Sequence, residues 1–208
     1  MTDPANYNNS SYHAAQAMLS PTYPNLSGYS TVLLTRTFYD GYSSISAVSG
    51  LPSGMATGVT GNSAFVTQYN TYPVYAVQPT PYSNATGAVT GMMSKVLDTS
   101  NRYLYTETFY DDHSRPIQVQ KVNYTGGVDT VTTEYDFAGK PLRSLLGQWK
   151  PTNTTQQHRV ASQMNYDAAF RVITTRQSID VGPLQTLDSM QYDELGRLNA
   201  KFLGNNLD

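Results

Sequence analysis

Four Tyr-Asp pairs, Tyr110-Asp111, Tyr135-Asp136, Tyr166-Asp167 and Tyr192-Asp193, recur at intervals of 25, 31 and 26 residues. In each, a basic side chain stands five positions after the tyrosine: Arg115, Lys140, Arg171 and Arg197. A motif that returns at such a period with fixed internal spacing marks one supersecondary unit copied along the chain, and single copies cannot be read alone. A degenerate first copy, Tyr39-Asp40-Gly41, has Ser44 where the basic residue belongs.

The residues before each tyrosine have strand character. Stepping back by two gives Thr108, Thr106 and Leu104; Thr133 and Val131; Met164, Ser162 and Val160; and Met190 with Asp188. The intervening positions are Phe109 and Glu107, Glu134 and Thr132, Asn165 and Gln163, and Gln191 and Ser189. Alternate strand residues face opposite sides, so the tyrosines fall on the more apolar face. That face is expected to be covered and the other to be wet.

After the tyrosine, Asp-x-x-Gly fits a type I turn, in which the first carboxylate accepts backbone N–H bonds and the fourth residue takes a positive φ. Asp136 to Gly139 and Asp193 to Gly196 match fully, and each predicts a three-residue hairpin loop. Ser114 and Phe170 stand where glycine is expected, and a turn of another shape is expected at Phe170. Return strands are predicted over Ile117 to Tyr124, Leu142 to Leu146, Val172 to Ile179 and Leu198 to Leu203. The links are Gly126-Gly127, a polar loop near Pro151 to Gln157 and a turn near Gly182-Pro183. Hairpins joined this way give an antiparallel meander, an all-β curved open sheet.

Composition agrees. Only 13% of the 208 residues are charged, whereas tyrosine alone accounts for 17, a balance that favours strands and turns over solvated helices. A net charge of -2 argues against nucleic acid as a partner. No run reaches the roughly 18 apolar residues of a membrane span, and Met1 to Ser20 lacks the pattern of a signal peptide. Without cysteine there is no disulfide framework, thiolate metal site or thiol redox chemistry. Residues 1–30, rich in Asn, Ser, Tyr and Pro, read as a loose tail. Residues 31–93 form an irregular Gly/Ser/Pro-rich region that holds the degenerate repeat after a strand over Thr31 to Tyr39, with a long, poorly regular insertion of one or two short strands over 43–91 and a strand resuming at Ser94 to Leu97. Residues 94–208 are the hairpin array.

Candidate chemistry is sparse. Asp111-Asp112 and Asp193-Glu194 offer adjacent carboxylates of the kind that flank a glycosidic bond, yet each pair occupies a turn, where the first aspartate caps and the second points to solvent. His13, His113 and His158 fall in a tail, a turn and a loop without metal-ligand spacing. No nucleophile elbow, phosphate loop or dinucleotide fingerprint occurs. No catalytic, cofactor or metal residue is therefore assigned, and the chain is not read as an enzyme. The repeat tyrosines could stack on sugars from an exposed face, but their common register favours packing between hairpins. Sequons at Asn84, Asn123 and Asn153 are expected in so Ser/Thr-rich a chain.

The pattern Tyr-Asp-x-x-Gly-Arg resembles the YD repeat of the Rhs and YD-repeat family, most strongly over residues 94–208. Stretches such as Tyr110 to Ile117, Gly126 to Lys140 and Tyr192 to Leu198 are similar to the segment ahead of the Rhs core in bacterial surface and secreted forms. The resemblance implies successive hairpins winding into a hollow shell around a C-terminal toxin or variable domain. It also implies a secreted or cell-surface location, and a chain that is a fragment of a longer shell protein. The implied partners are the rest of the shell, its enclosed domain and, in an adhesive alternative, carbohydrate.

Overall fold

A computed structural model describes residues 30–56, 64–72, 74–150 and 157–204. The expected tail, His13, Asn153 and most of the loop near Pro151 to Gln157 lie outside the described residues. Residues 30–34 belong to a separate unit and carry no helix or strand, and the unit that follows begins at Thr35.

The described residues contain eleven strands and one helix. In chain order they are β1 (Thr35–Asp40), α1 (Ser43–Ser49), β2 (Ala76–Val77), β3 (Ala85–Lys95), β4 (Tyr103–Tyr110), β5 (Pro116–Val122), β6 (Val128–Asp136), β7 (Pro141–Trp149), β8 (Gln157–Tyr166), β9 (Val172–Ile179), β10 (Gln185–Tyr192) and β11 (Leu198–Leu203). They form one open antiparallel sheet in the order β1-β3-β4-β5-β6-β7-β8-β9-β10-β11, with β2 pairing onto β6. The all-β meander is as expected. β9 and β11 begin and end at the anticipated residues.

Five hairpins make the sheet, and each outgoing strand ends on a Tyr-Asp pair: β1/β3, β4/β5, β6/β7, β8/β9 and β10/β11. Tyr39-Asp40 is therefore a true repeat whose tip has been opened by the residues between β1 and β3. The insertion leaves the sheet at Gly41, whose carbonyl accepts from Thr90 Oγ1 at 2.7 Å. It returns where Tyr82 N–H donates to the Tyr110 carbonyl at 2.8 Å.

This stretch is more regular than its composition suggests. It supplies α1 and most of β3, an eleven-residue strand, where only one or two short strands were expected up to residue 91 and a strand from Ser94 to Leu97. Two glycines hid β3. At Gly91 the missing side chain is required, because a Cβ there would lie 2.5 Å from Ile45 Cδ1 on the helix above.

The four tips share one geometry. The first aspartate accepts at its carbonyl from the N–H three residues on: Ser114 to Asp111 (3.1 Å), Gly139 to Asp136 (3.1 Å), Phe170 to Asp167 (3.0 Å) and Gly196 to Asp193 (2.9 Å). The fourth turn residue is left-handed in every copy, at φ 61° for Ser114, 85° for Gly139, 60° for Phe170 and 80° for Gly196. The expectation of a different turn at Phe170 is thus corrected. A left-handed non-glycine residue costs only about 1–2 kcal/mol, and the clamp between Asp167 and Arg171 described below holds the turn closed.

Gly196→Val is expected to destabilise its hairpin by about 1 kcal/mol or more, since the backbone needs positive φ and a Cβ would come within 2.9 Å of Arg171 Nη1. Thermal melts of the two proteins check it, and superimposable curves would show that the turn is not strained by the change.

Candidate functional site

Two arrangements rise above simple pairing of strands, one on each face of the sheet.

On the first face the repeat tyrosines tie each hairpin to the one before. Tyr110 Oη donates to the Val89 carbonyl (2.8 Å), Tyr135 to Pro116 (3.1 Å), Tyr166 to Pro141 (2.8 Å) and Tyr192 to Val172 (3.0 Å). In the last three pairs the acceptor is the first residue of the preceding return strand. Burial holds the phenols of Tyr110, Tyr135 and Tyr166 above their ordinary range, so they remain neutral donors. Removing the bond in Tyr166→Phe should cost about 1 kcal/mol. Denaturant titration measures it, and an unchanged midpoint would mean that water replaces the carbonyl.

The basic residue precedes the return strand, and where it is arginine its side chain has up to two jobs. Its first job is local. Asp111 Oδ1 accepts from the N–H groups of His113 and Arg115 (both 2.9 Å), and its Oδ2 accepts from Arg115 Nε at 2.6 Å. Asp167 with Arg171, and Asp193 with Arg197, repeat this clamp at 2.7 Å. The backbone N–H of Arg171 and the backbone N–H of Arg197 are the main reasons why Asp167 and Asp193 lie below the usual carboxylate range.

The second job reaches forward. The Arg115 guanidinium lies 5.1 Å from the centre of the Tyr135 ring and donates to the Asp136 carbonyl at 3.1 Å, and Arg171 lies 4.3 Å over Tyr192. The turn residue varies with it. A Cβ at Gly196 would sit 2.9 Å from Arg171 Nη1, whereas one at Gly139 would meet Arg115 Nη1 at an ordinary 3.6 Å. Glycine stands where the preceding copy has arginine. Phe170 follows Lys140 and Ser114 follows Ser44, so no preceding guanidinium has to be accommodated there.

The opposite face corrects the expected assignment of dry and wet sides. Cross-strand register places Gly91, Glu107 and Gln120 in one row, and Phe109, Gln118, Thr132 and Leu145 in the next. Glu107, Thr132 and Glu134 are fully buried, whereas Val131 and Met92, on the tyrosine side, are 38% and 48% exposed. The insertion causes this by folding back over β3 to β7. Its peptide groups need partners, and the polar row supplies them. Ala56 N–H donates to Gln118 Oε1 (2.7 Å), Gln120 Nε2 donates to the Gly54 carbonyl (3.2 Å), and Val66 N–H donates to Glu134 Oε2 (3.0 Å). Gln118 Nε2 donates to Thr132 Oγ1 (2.8 Å), and Gln120 Nε2 to Gln118 Oε1 (2.8 Å), so the amides form a connected layer.

Two acids lie in this layer under different conditions. Glu134 is paired with Arg143 (3.1 Å), and burial is the main influence raising its pKa. Glu107 has no hydrogen-bond partner for either oxygen among the described residues, and burial pushes it up to about 7. Beside Phe65 a groove of about 510 Å³ runs over β7 to β9, lined by Arg143, Arg159, Gln163 and Asp180 among the described residues.

Both oxygens of Asp111 are engaged in its clamp, Asp112 pairs with His113 at the surface (2.7 Å), and His158 pairs with Asp180 (3.1 Å). Asp111, Asp112 and His113 bring ligand atoms within 4.8 Å of one another, but the Asp111 carboxylate is already committed to Arg115 and the turn amides. Asp193 is bonded to the N–H groups of Leu195 and Arg197 and to Arg197 Nε within its own turn. Sequence reasoning missed Glu107 and Glu134 as buried groups, and the one available signal was the stretch from residue 41 to residue 94, which contains no charged side chain and no histidine. No protein-family model and no curated protein matches this chain.

Proposed function

We propose that this chain is a structural segment of a YD-repeat shell of the Rhs type, one stretch of a hairpin array that encapsulates or presents a toxin or other variable domain outside the cell or at its surface. The inter-hairpin ladder is the observation that supports this reading. Each tyrosine hydroxyl bonds the preceding hairpin, and Arg115 and Arg171 each lie over the tyrosine ring that follows. A unit whose stabilising contacts run to its neighbours builds an array by repetition. The clamp aspartates are consumed in holding turns, which leaves this chain the role of wall and not of catalyst. Its partners are the adjoining hairpins and the enclosed domain.

Carbohydrate binding is the weaker reading, because the repeat tyrosines spend their hydroxyls on backbone carbonyls and two of the four rings lie beneath guanidinium groups. The test is electron microscopy of the whole gene product together with proteolysis of its variable domain. A hollow particle whose internal domain resists protease until the shell is opened is expected. An extended particle, or a domain cleaved as fast inside the product as alone, would overturn the proposal. A glycan screen showing binding that disappears on substituting Tyr110, Tyr135, Tyr166 or Tyr192 would favour adhesion.

A further inference from the structure

The cover over β3 to β5 rests on a carboxyl group that has no hydrogen-bond partner among the described residues. Glu107 pairs across the sheet with Gly91 on one side and Gln120 on the other. Ile45 of α1 stands directly over Gly91, and the Gly54 carbonyl is held over Gln120. Glu107 is therefore roofed by α1 and the 50–56 segment, fully buried, with both oxygens lacking hydrogen-bond partners among the described residues.

The cations that share this face among the described residues are engaged elsewhere: Arg36 of β1, paired with Met93, lies 4.8 Å over the Phe38 ring, and Lys95 of β3 lies 5.4 Å over the Tyr103 ring. β3 offers Gly91 and Met93 on this side, β5 offers Gln118 and Gln120, and β4 offers Tyr105 and Phe109. From residue 41 to residue 94 the only titratable side chains are tyrosines, of which Tyr42 stacks on Phe109 at 4.8 Å. The other buried acid, Glu134, is held by Val66 and Arg143. A buried carboxylate without a counter-ion is unfavourable, whereas the protonated acid is tolerated.

We infer that Glu107 is a proton-operated latch: protonated, it lets α1 and residues 50–56 close over β3 to β5, and ionised, it drives that cover off and bares the side chains of Gln118, Gln120 and Thr132. Burial raises the group from 4.5 to about 7, which places the transition in the range between mildly acidic and neutral surroundings. The closed form keeps a proton that the open form releases. Closure is therefore fully favoured below about pH 4.5, weakens as pH rises toward 7, and levels off above it. This inference does not depend on the shell reading.

The test is native-state hydrogen exchange on the full chain from pH 5 to 8, with protection factors corrected for the intrinsic exchange rate. The reporter is the Ala56 amide, which is bonded to Gln118, and the control is an amide of the β9/β10 pair. Protection at Ala56 should fall by about tenfold per pH unit at most and flatten above pH 7, while the control stays level. In Glu107→Gln, which mimics the protonated acid, the Ala56 profile should be flat. Glu107→Leu serves if the amide does not fold, and should also be flat. A variant with the wild-type slope would overturn the latch. So would wild-type protection that is constant with pH, or that is lost equally at Ala56 and in the β9/β10 control.

Discussion

Replacing Arg143 by methionine is expected to destabilise the protein by about 3–5 kcal/mol, the usual cost of leaving one member of a buried ion pair alone. Arg143 Nη1 donates to Glu134 Oε1 at 3.1 Å, and Glu134 is fully buried beneath the insertion. Methionine keeps much of the aliphatic volume, so the loss reports the charge. The effect has a pH signature. Burial already raises Glu134, and removing Arg143 raises it further, so the variant gains back stability by protonation at low pH and loses most at high pH. Urea unfolding at pH 6 and pH 8 measures both the size and the slope. The double variant Glu134→Gln with Arg143→Met should be milder than Arg143→Met alone, because no charge is stranded. A small, pH-independent loss in the single variant would show that Glu134 is reached by water.

Phe109→Ala is the second large change, expected to cost about 3–5 kcal/mol as for other buried aromatic truncations. Its ring is 1% exposed and stacks on Tyr42. Tyr42 Oη in turn accepts from Tyr110 N–H (3.3 Å) and donates to the Tyr82 carbonyl (3.2 Å), so one aromatic pair pins both ends of the insertion to the sheet. Losing the ring removes apolar burial and frees Tyr42 together. A double-mutant cycle with Tyr42→Ala should therefore show a coupling above about 0.5 kcal/mol, the level at which contacting residues depart from additivity. Additive losses would mean that the ring packs on something other than Tyr42.

The hairpins were legible because their determinants are local. In each copy the tyrosine, aspartate, left-handed residue and basic residue lie within six consecutive positions, and the carboxylate closes its own turn. The return strands from Val172 and Leu198 follow from that spacing. Phe170 was misjudged because glycine was taken as a requirement of the turn, whereas the Asp167 to Arg171 clamp is enough to hold a larger residue at φ 60°. At positions 139 and 196 glycine still relieves the left-handed backbone, at φ 85° and 80°, and at 196 it also leaves room for Arg171 of the preceding copy.

The dry face could not be read from alternation. Period-two patterning sorts residues onto two sides but does not say which side another segment will cover. Apolar character pointed to the tyrosine side, yet the insertion chose the other one, where Gln118, Gln120 and Glu134 could bond its peptide groups. A covering segment with free N–H and C=O groups gains more from polar side chains than from an apolar wall.

Turn chemistry and antiparallel order are thus written in short-range residue spacing, because each hairpin closes on itself before it meets its neighbours. Which carboxyl groups lose water was decided only by the tertiary structure. Glu107 and Glu134 occupy equivalent-looking strand positions, three residues before their repeat tyrosine and one before it, and nothing local marks them as buried. They became so because a charge-free stretch inserted between β1 and β3 returned across the sheet, and it brought Glu134 a partner in Val66 while leaving Glu107 with none among the described residues.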